Sequence, residues 1–281
     1  GRLPHQVQRG RGPLRAEPFD AATGTEHKDV LENTAGEATW AADGKSFFYT
    51  LQDENHRPLK TFRHVLGTEQ SADTLIYEEK DTGKFTGVSI TNSEKWITID
   101  IHDHDTSEIW LIDAEKPDQK PRLVAPRVEG IEYDIEHRAD QFIIKTNEGG
   151  AEDYKLVTAP VSDPRKENWQ DLIPHRPGIF IVGYLVLKNW LIRMERENAL
   201  PRLVVREMST GAEHVIAFDE EAYSLGFGEM REFDTDTLRF TYSSPTTPAQ
   251  VYDYDMRSRS RVPGPPLPSA PAPALPCGSS A

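Results

Sequence analysis

The chain has 281 residues, and its 46 acidic side chains outnumber its 32 lysines and arginines to give a formal charge of −14. This acid excess argues against a nucleic-acid partner, because phosphate binding needs a clustered basic face. The single cysteine, Cys277, excludes an intramolecular disulfide framework and any multi-cysteine metal site. The longest mostly apolar stretch, residues 178–187, is about half of what a membrane-spanning helix needs, and no apolar leader opens the sequence. We therefore expect a cytoplasmic protein without a membrane partner.

The first residues differ in composition from those that follow. Residues 1–15 carry four arginines and no acid, and the stretch from 13 to 19 shows no strand pattern. We predict that residues 1–19 form an irregular basic segment that is not part of the folded repeat.

Short apolar strands then recur at nearly constant intervals. One aromatic and β-branched series has start-to-start intervals of 49, 46, 48 and 48 residues, and a second series has intervals of 47, 47, 48 and 47. The first series starts at Phe47, Trp96, Phe142, Trp190 and Leu238. The second series is centred on Phe62, Ile109, Leu156, Val204 and Val251. A weaker third series lies at Leu75, Leu123, Leu172 and Val215, and an opening strand precedes each aromatic strand.

Four short strands repeating every 40 to 50 residues are the signature of a β-propeller blade. A β-sandwich would show similar strands, but it gives no reason for one interval to recur four times. We predict an all-β chain in which residues 20–256 form a partial β-propeller of about five blades, with four antiparallel strands per blade. The fifth blade, from 222 to 256, is expected to lack its last strand.

The last residues again change in composition. Residues 257–281 carry three arginines and no acid, and they are rich in proline, alanine and serine. Proline cannot donate ladder hydrogen bonds, so this stretch is predicted to be a disordered tail. Without the two basic ends, residues 16–256 carry a formal charge of −21.

Few residues suggest chemistry of their own. No Gly-x-Ser-x-Gly elbow or dinucleotide loop occurs, and no catalytic residue, cofactor or metal is assigned. The alternating His102-Asp103-His104-Asp105 could offer two imidazoles to a metal for hydrolysis, but a solvated hairpin tip is the favoured interpretation. The acidic run Asp219-Glu220-Glu221 is expected in a loop. It either keeps the surface soluble or steers basic peptides towards a partner domain.

Several strings together resemble the N-terminal propeller of the oligopeptidase B group in the prolyl oligopeptidase family of serine peptidases. One is Phe-Arg-His-Val-Leu-Gly-Thr at 62–68, and another is Thr-Ser-Glu-Ile-Trp-Leu-Ile-Asp at 106–113. The other strings lie in the same order at 49–53, 130–138, 172–176, 232–248 and 252–256. The resemblance runs from about residue 20 to residue 256.

The resemblance implies a seven-bladed propeller that caps an α/β-hydrolase domain carrying a Ser-Asp-His triad, with cleavage of short peptides after Arg or Lys. It implies that the propeller excludes folded proteins, and that the catalytic domain and short basic oligopeptides are its partners. None of the triad residues matches a position in this sequence. Because the catalytic triad is unmatched, the chain alone is expected to be inactive. The first and final blades of the family pattern are unmatched as well. The alternative is a free-standing propeller that binds a peptide or protein without catalysis.

Overall fold

The computed structural model describes residues 27, 29–230 and 232–264, together with the backbone of four short strands that precede them. These strands form two pairs, β1 (Gln6–Gln8) with β2 (Arg15–Glu17) and β3 (Phe19–Asp20) with β4 (Thr25–Glu26). The expectation that residues 13–19 contain no strand is therefore wrong, because pairings of two or three residues are too short to show a periodic pattern. Residues 265–281, most of the predicted tail, lie outside the described residues.

The rest of the described chain forms five sheets of four antiparallel strands, here called blades 1 to 5. Blade 1 contains β5 (Thr34–Trp40), β6 (Ser46–Gln52), β7 (Pro58–Val65) and β8 (Thr74–Glu78). Blade 2 contains β9 (Phe85–Ile90), β10 (Trp96–His102), β11 (Ser107–Asp113) and β12 (Arg122–Leu123). Blade 3 contains β13 (Tyr133–Arg138), β14 (Gln141–Thr146), β15 (Lys155–Pro160) and β16 (Gln170–Ile173). Blade 4 contains β17 (Ile179–Val186), β18 (Trp190–Glu197), β19 (Leu200–Glu207) and β20 (Glu213–Val215). Blade 5 contains β21 (Ser224–Phe227), β22 (Thr237–Ser243), β23 (Gln250–Asp255) and β24 (Ser260–Pro263).

The predicted all-β propeller of about five four-stranded blades is confirmed. Each of the three predicted series falls on one strand position, the second, third or fourth of its blade. The helical elements of the described residues are two single turns of 3₁₀-helix, Gln70–Ala72 and Lys166–Asn168. In the described part of the chain, no helix is long and apolar enough to cross a lipid bilayer.

Strand side chains alternate between the two faces of each sheet, as a period of two requires. Along β13, Tyr133, Ile135 and His137 are buried, whereas Asp134 and Glu136 lie on the opposite face and are less covered. The alternation therefore gives the same strand one packing face and one polar face.

The hydrophobic core lies between the blades. Phe48 of blade 1 packs with Ile97 and Ile99 of blade 2, and Ile192 of blade 4 packs with Phe240 of blade 5. Equivalent clusters join blade 2 to blade 3 and blade 3 to blade 4. Full burial of one such side chain contributes roughly 1.5–3 kcal/mol to stability. Because these side chains are buried between blades, each blade is stabilised mainly by its neighbours.

The first strand of each blade forms one edge of its sheet, and the edges of neighbouring blades come together. The backbones of β5 and β9 approach within 8 Å, as do those of β13 and β17. This common side of the sheets is called the inner edge below, and the fourth strands form the outer edge.

The fourth strands are short, the longest being β8 with five residues. β12 has two residues, β20 has three, and β16 and β24 have four each. The expectation that blade 5 lacks its last strand is wrong, since β24 pairs with β23 from Ser260 to Pro263. All four residues of β24 are exposed, so no alternation of apolar and polar residues marks the strand in the sequence.

Candidate functional site

Three carboxyl groups lie near the inner edge of blades 2 and 3, within range of one another's electrostatic influence. Asp100 lies on β10, beside the first strand of its blade, and Asp134 and Glu136 lie two residues apart on β13. Residues two apart on a strand share a face, so Asp134 and Glu136 point the same way. We call Asp100, Asp134 and Glu136 the inner carboxyl cluster.

The cluster is only partly satisfied by neighbouring groups. Asp100 Oδ2 accepts hydrogen bonds from the hydroxyls of Thr98 at 2.9 Å and Ser89 at 3.2 Å. Asp134 Oδ2 lies 3.2 Å from the ammonium of Lys145, but its Oδ1 is inaccessible to water and has no hydrogen-bond partner. Asp134 is therefore the member of the cluster for which a lysine partner is seen.

A further contact ties Glu136 to the neighbouring blade. Its Oε2 accepts the backbone N–H of Asn92 at 2.8 Å, in the turn between β9 and β10. The Asn92 side-chain amide in turn donates to the Val186 carbonyl of blade 4 at 3.4 Å. The carboxyl group of Glu136 is thus held at a point where three blades meet.

The surroundings raise the pKa of all three carboxyl groups. Burial is the main cause in each case. The charge of Asp134 adds to it for Asp100 and Glu136, and the charge of Glu132 adds to it for Asp134. The pKa of Glu136 rises to about 7, whereas the ordinary value is 4.5. Burial and the nearby charges of Asp134 and Glu136 also raise the pKa of the Tyr184 hydroxyl on β17. A cation entering this region would relieve the repulsion between the carboxylates and favour their ionised forms.

A cavity of about 190 Å³ lies at the turn that contains Asn92. It is lined by Ile90, Thr91, Asn92, Leu187, Met230, Glu232 and Phe233, which come from blades 2, 4 and 5. Asn92 belongs to both features, since its backbone N–H binds Glu136. The Asn92 turn therefore connects the cavity to the carboxyl group of Glu136, which does not line the cavity itself.

The predicted acidic run lies elsewhere, in the connection between β20 and β21. Asp219 and Glu221 are exposed, and Glu220 is half-buried. Glu220 accepts hydrogen bonds from Thr247 at 2.7 Å and Thr246 at 3.0 Å, in the turn between β22 and β23. Hydroxyl donors, chiefly Ser244, lower the pKa of Glu220, so this group is charged at neutral pH.

The His-Asp-His-Asp sequence forms the tip of the β10–β11 hairpin. Asp103 Oδ1 accepts the backbone N–H groups of Asp105 at 3.2 Å and Thr106 at 3.0 Å. The ammonium of Lys84 pairs with Asp103 and lowers the pKa of that carboxyl to about 2. Among the described residues, no group of three or more His, Cys, Asp or Glu side chains is arranged to hold a metal. Asp103 therefore stabilises the hairpin turn through its hydrogen bonds to the backbone.

One serine lies against a histidine. His137 Nε2 donates to the Ala139 carbonyl at 2.8 Å, and its Nδ1 lies 2.8 Å from Ser93 Oγ. Burial lowers the pKa of His137, so the ring is neutral and Nδ1 accepts the Ser93 proton. A triad would place a carboxylate at the second ring nitrogen, where His137 has a backbone carbonyl. The pair links the turn of blade 2 to blade 3.

The Gly-Phe-Gly sequence at 226–228 has a structural reason. A Cβ atom on Gly226 would lie 2.7 Å from Thr241 Oγ1, and one on Gly228 would lie 2.5 Å from Arg239 Cγ. The two glycines therefore allow side chains of β22 to lie across the first strand of blade 5. No phosphate-binding role is needed to explain them.

The inner carboxyl cluster was missed by sequence reasoning. Its members lie in strands that the repeat predicted, and the alternation of Asp134 and Glu136 with buried residues was visible. That pattern alone cannot tell an acid on an outer strand from an acid at the inner edge. A search for charged residues that recur on first strands would have found this pair.

Comparison with known proteins agrees with this architecture. The family model described as the N-terminal β-propeller domain of prolyl oligopeptidase matches residues 15–263. Oligopeptidase B from Leishmania major superposes with a TM-score of 0.84 and 25% identity, over 92% of this chain and 40% of that one. Oligopeptidase B from Trypanosoma brucei, solved in a closed form with covalently bound antipain, superposes with a TM-score of 0.81 and 27% identity, over 90% of this chain and 37% of that one.

Curated relatives are similar along the same region. Dipeptidyl aminopeptidase BI from Pseudoxanthomonas mexicana is 34% identical over 240 residues, which is 85% of this chain and 33% of the relative. Protease 2 from Moraxella lacunata is 31% identical over 241 residues, which is 85% of this chain and 34% of the relative. The chain thus spans about a third of the length of these relatives. From its repeat, its five blades and these matches, the chain belongs to the family of N-terminal β-propeller domains of prolyl oligopeptidases.

Proposed function

We propose that this chain is the substrate-gating propeller of a serine endopeptidase that cleaves short peptides after Arg or Lys. An α/β-hydrolase domain would supply the triad. The similarity to oligopeptidase B and Protease 2 supports the class of enzyme. The observation that carries the preference for basic peptides is the inner carboxyl cluster.

The cluster is suited to attract a cationic side chain. Burial and nearby carboxylates raise the pKa of Asp100, Asp134 and Glu136. A guanidinium or ammonium group that binds nearby would favour the ionised forms of these acids, so binding of the cation and release of protons are coupled. At physiological ionic strength the screening length is about 8 Å. Acidic residues beside the path of a peptide therefore attract it more strongly than the net charge of the whole domain does. Asp219, Glu220 and Glu221 would add a second, exposed contribution.

The size of the cavity supports a gating role. The cavity at the Asn92 turn has a volume of about 190 Å³, which suits a single side chain. A folded domain of 100 residues has a radius of gyration of about 13 Å and could not enter. A propeller of this kind would admit short peptides and exclude folded proteins.

The test is a chimera in which residues 15–263 replace the matching segment of Protease 2 from Moraxella lacunata. We expect kcat/KM for a dibasic peptide to fall with increasing salt, and the double variant Asp134→Asn/Glu136→Gln to lower kcat/KM by roughly tenfold and flatten that dependence. An uncharged peptide of equal length is the control and should respond to neither change. A separate variant that neutralises Asp219, Glu220 and Glu221 measures how much these three acids contribute to kcat/KM for the dibasic peptide and to its salt dependence.

Two results would contradict the proposal. If the double variant cleaves the dibasic and the uncharged peptide as the parent chimera does, at all salt concentrations, the cluster has no part in selecting substrates. If the chimera digests a folded protein as fast as a short peptide, the propeller is not a gate. Tight binding of a basic peptide to the chain alone, with neither effect in the chimera, would favour the free-standing binding module.

A further inference from the structure

The connection between β21 and β22 borders two cavities. The first is the cavity of about 190 Å³ at the Asn92 turn, and the second has a volume of about 140 Å³. Met230 and Glu232 line both of them. The two cavities therefore adjoin, and these two side chains form the boundary between them.

The first cavity has apolar walls from three blades. Ile90 ends β9 of blade 2, Leu187 follows β17 of blade 4, and Met230 and Phe233 belong to blade 5. Leu187 is almost completely buried and is part of the hydrophobic core between blades 4 and 5. Such walls suit the methylene stem of a lysine or arginine side chain, which proteins commonly bury while the charged end stays in polar surroundings.

Glu232 is the acid at the boundary, and it differs from its neighbours in having no counter-charge. Three acids lie at every second position of the β21–β22 connection. Asp234 Oδ2 lies 2.6 Å from the Lys188 ammonium, and Asp236 Oδ2 lies 2.6 Å from Arg257 Nε. Glu232 is exposed, and among the described residues no donor bonds to its carboxylate and no cation pairs with it. This carboxylate is therefore open to a cation from another molecule.

Hydrogen bonds hold the residues around the boundary in place. The Lys188 backbone N–H donates to the Phe233 carbonyl at 3.0 Å, which fixes the connection against blade 4. The Arg239 backbone N–H donates to Met230 Sδ at 3.5 Å, and the Gly228 N–H donates to the Arg239 carbonyl at 2.9 Å. A site whose walls are fixed before the ligand arrives loses less conformational entropy on binding.

The second cavity supplies polar surroundings. Its Asp253 accepts Arg239 Nε at 2.7 Å and Arg239 Nη2 at 2.8 Å, so these two charges are matched within blade 5. Thr235 and Thr237 add hydroxyl-bearing side chains to the same lining. A cationic group at Glu232 would therefore have the apolar cavity on one side and a polar cavity on the other.

We propose that the first cavity binds one lysine or arginine side chain of a peptide. The alkyl stem lies against Ile90, Leu187 and Phe233, and the charged end pairs with Glu232 at the boundary to the second cavity. This inference rests on the proposed preference for basic peptides, and it names the place in the propeller where one basic side chain is held. A neutral side chain with the same stem would gain the apolar contacts but would leave Glu232 without a partner.

The test uses the full chain with ¹³C-labelled methionine methyl groups. The sequence has four methionines, and among them Met230 lines the two cavities. Its NMR signal is assigned by its loss in Met230→Leu. The probes are Nα-acetyl-lysine methylamide and the norleucine counterpart, which has the same alkyl stem without the ammonium group.

We expect the lysine probe to shift the Met230 signal saturably, while the signals of Met194, Met208 and Met256 stay in place. The norleucine probe should need a roughly fivefold higher concentration, because it lacks the ion pair with Glu232. The corresponding arginine probe should shift the same signal as the lysine probe does.

Variants separate recognition of charge from apolar contact. Glu232→Gln keeps the size of the side chain and removes its charge, so it should bind the lysine probe as weakly as the parent chain binds the norleucine probe. Glu221→Gln removes one charge from an exposed acid that lines neither cavity, and it should bind both probes as the parent does. Unchanged signals of the buried Met194 and Met256 show that each variant is folded.

Three results would overturn the proposal. They are a Met230 signal that does not move with the lysine probe, equal affinities for the lysine and norleucine probes, and lysine binding that Glu232→Gln leaves unchanged. All three are binding measurements on the chain alone, so they are independent of turnover by the chimera. A saturable shift that depends on Glu232, with no selection of basic peptides by the chimera, would support this site and contradict the proposed function.

Discussion

The charged side chains of this protein are arranged in two different ways. On blade 4, Glu195 and Arg193 are almost completely inaccessible, yet each has charged partners on more than one side. In the inner carboxyl cluster, a lysine pairs with Asp134, and one oxygen of Asp134 accepts no hydrogen bond. The first arrangement stabilises the fold, whereas the second retains an electrostatic attraction for cations.

The paired arrangement should be costly to break. Glu195 accepts from Arg193 at 2.8 Å, from Arg202 at 2.8 Å and from Arg176. Replacing Glu195 with alanine leaves the buried Arg193 guanidinium without one of its counter-charges, which we expect to lower the free energy of unfolding by about 3–5 kcal/mol. Urea denaturation of the purified chain measures this change.

A matched control comes from the same strand. Glu197 also pairs with Arg202, but 41% of its side chain is exposed. Glu197→Ala should therefore cost no more than about 1 kcal/mol. Equal losses for the Glu195 and Glu197 variants would show that burial of the network does not determine its strength.

The unpaired arrangement predicts a pH effect. The pKa of Glu136 is about 7 in the folded chain and near 4.5 when the chain unfolds. Between these values the folded state keeps a proton that the unfolded state has released, so the free energy of unfolding falls as the pH rises from about 4.5 to about 7. Glu136→Gln cannot titrate, and we expect its urea midpoint to fall less than that of the parent chain over this range.

Asp100 and Asp134 titrate in the same direction and remain in the variant, so the slope should shrink without vanishing. The exposed Glu54 at the β6–β7 turn provides the control, since Glu54→Gln should keep the parent slope. An unchanged slope in Glu136→Gln would mean that Glu136 is ionised well below pH 7 in the folded chain.

At the scale of elements, the repeat predicted the second and third strands of every blade, because these strands are buried and apolar. It failed where strands carry no hydrophobic pattern, as in the fully exposed β24 and the short β2. The same limit applies to the site. Asp134 and Glu136 were visible on a predicted strand, but only the order of strands in the sheet shows that this strand lies at the inner edge.

The close approach of β22 to the first strand of blade 5 gives an element-level prediction. A methyl group on Gly228 would lie 2.5 Å from Arg239 Cγ and 3.1 Å from the Arg239 carbonyl. Gly228→Ala should therefore lower the free energy of unfolding by roughly 1–3 kcal/mol, as other overpacked sites do. Thermal or urea denaturation measures the loss.

Gly87, on the first strand of blade 2, is the matched control, because a methyl group there has no atom within 4 Å. Gly87→Ala should be neutral or stabilise the chain by about 0.4–1 kcal/mol, since alanine has fewer unfolded conformations. A Gly228 variant as stable as the Gly87 variant would show that Arg239 moves aside at little cost.

At the scale of the molecule, we expect the purified chain to hydrolyse no peptide on its own. The serine–histidine pair of Ser93 and His137 ends on a backbone carbonyl, so it lacks the acid that stabilises an imidazolium during acyl transfer. The measurement is turnover of a fluorogenic arginine peptide, with a serine-directed phosphonate as the inhibitor. Phosphonate-sensitive turnover, or mass spectrometry showing a phosphonate on Ser93, would contradict this expectation.

The short fourth strands at the outer edge affect how copies of this protein meet. A sheet edge with free N–H and C=O groups can accept a strand from another molecule, which is how many β proteins begin to form fibrils. An incoming strand would find only two ladder positions on β12 and three on β20, and on β24 it would meet Pro263. The outer edges of blades 2, 4 and 5 thus offer little template for intermolecular pairing, and the longest template at the outer edge is the five-residue β8 of blade 1.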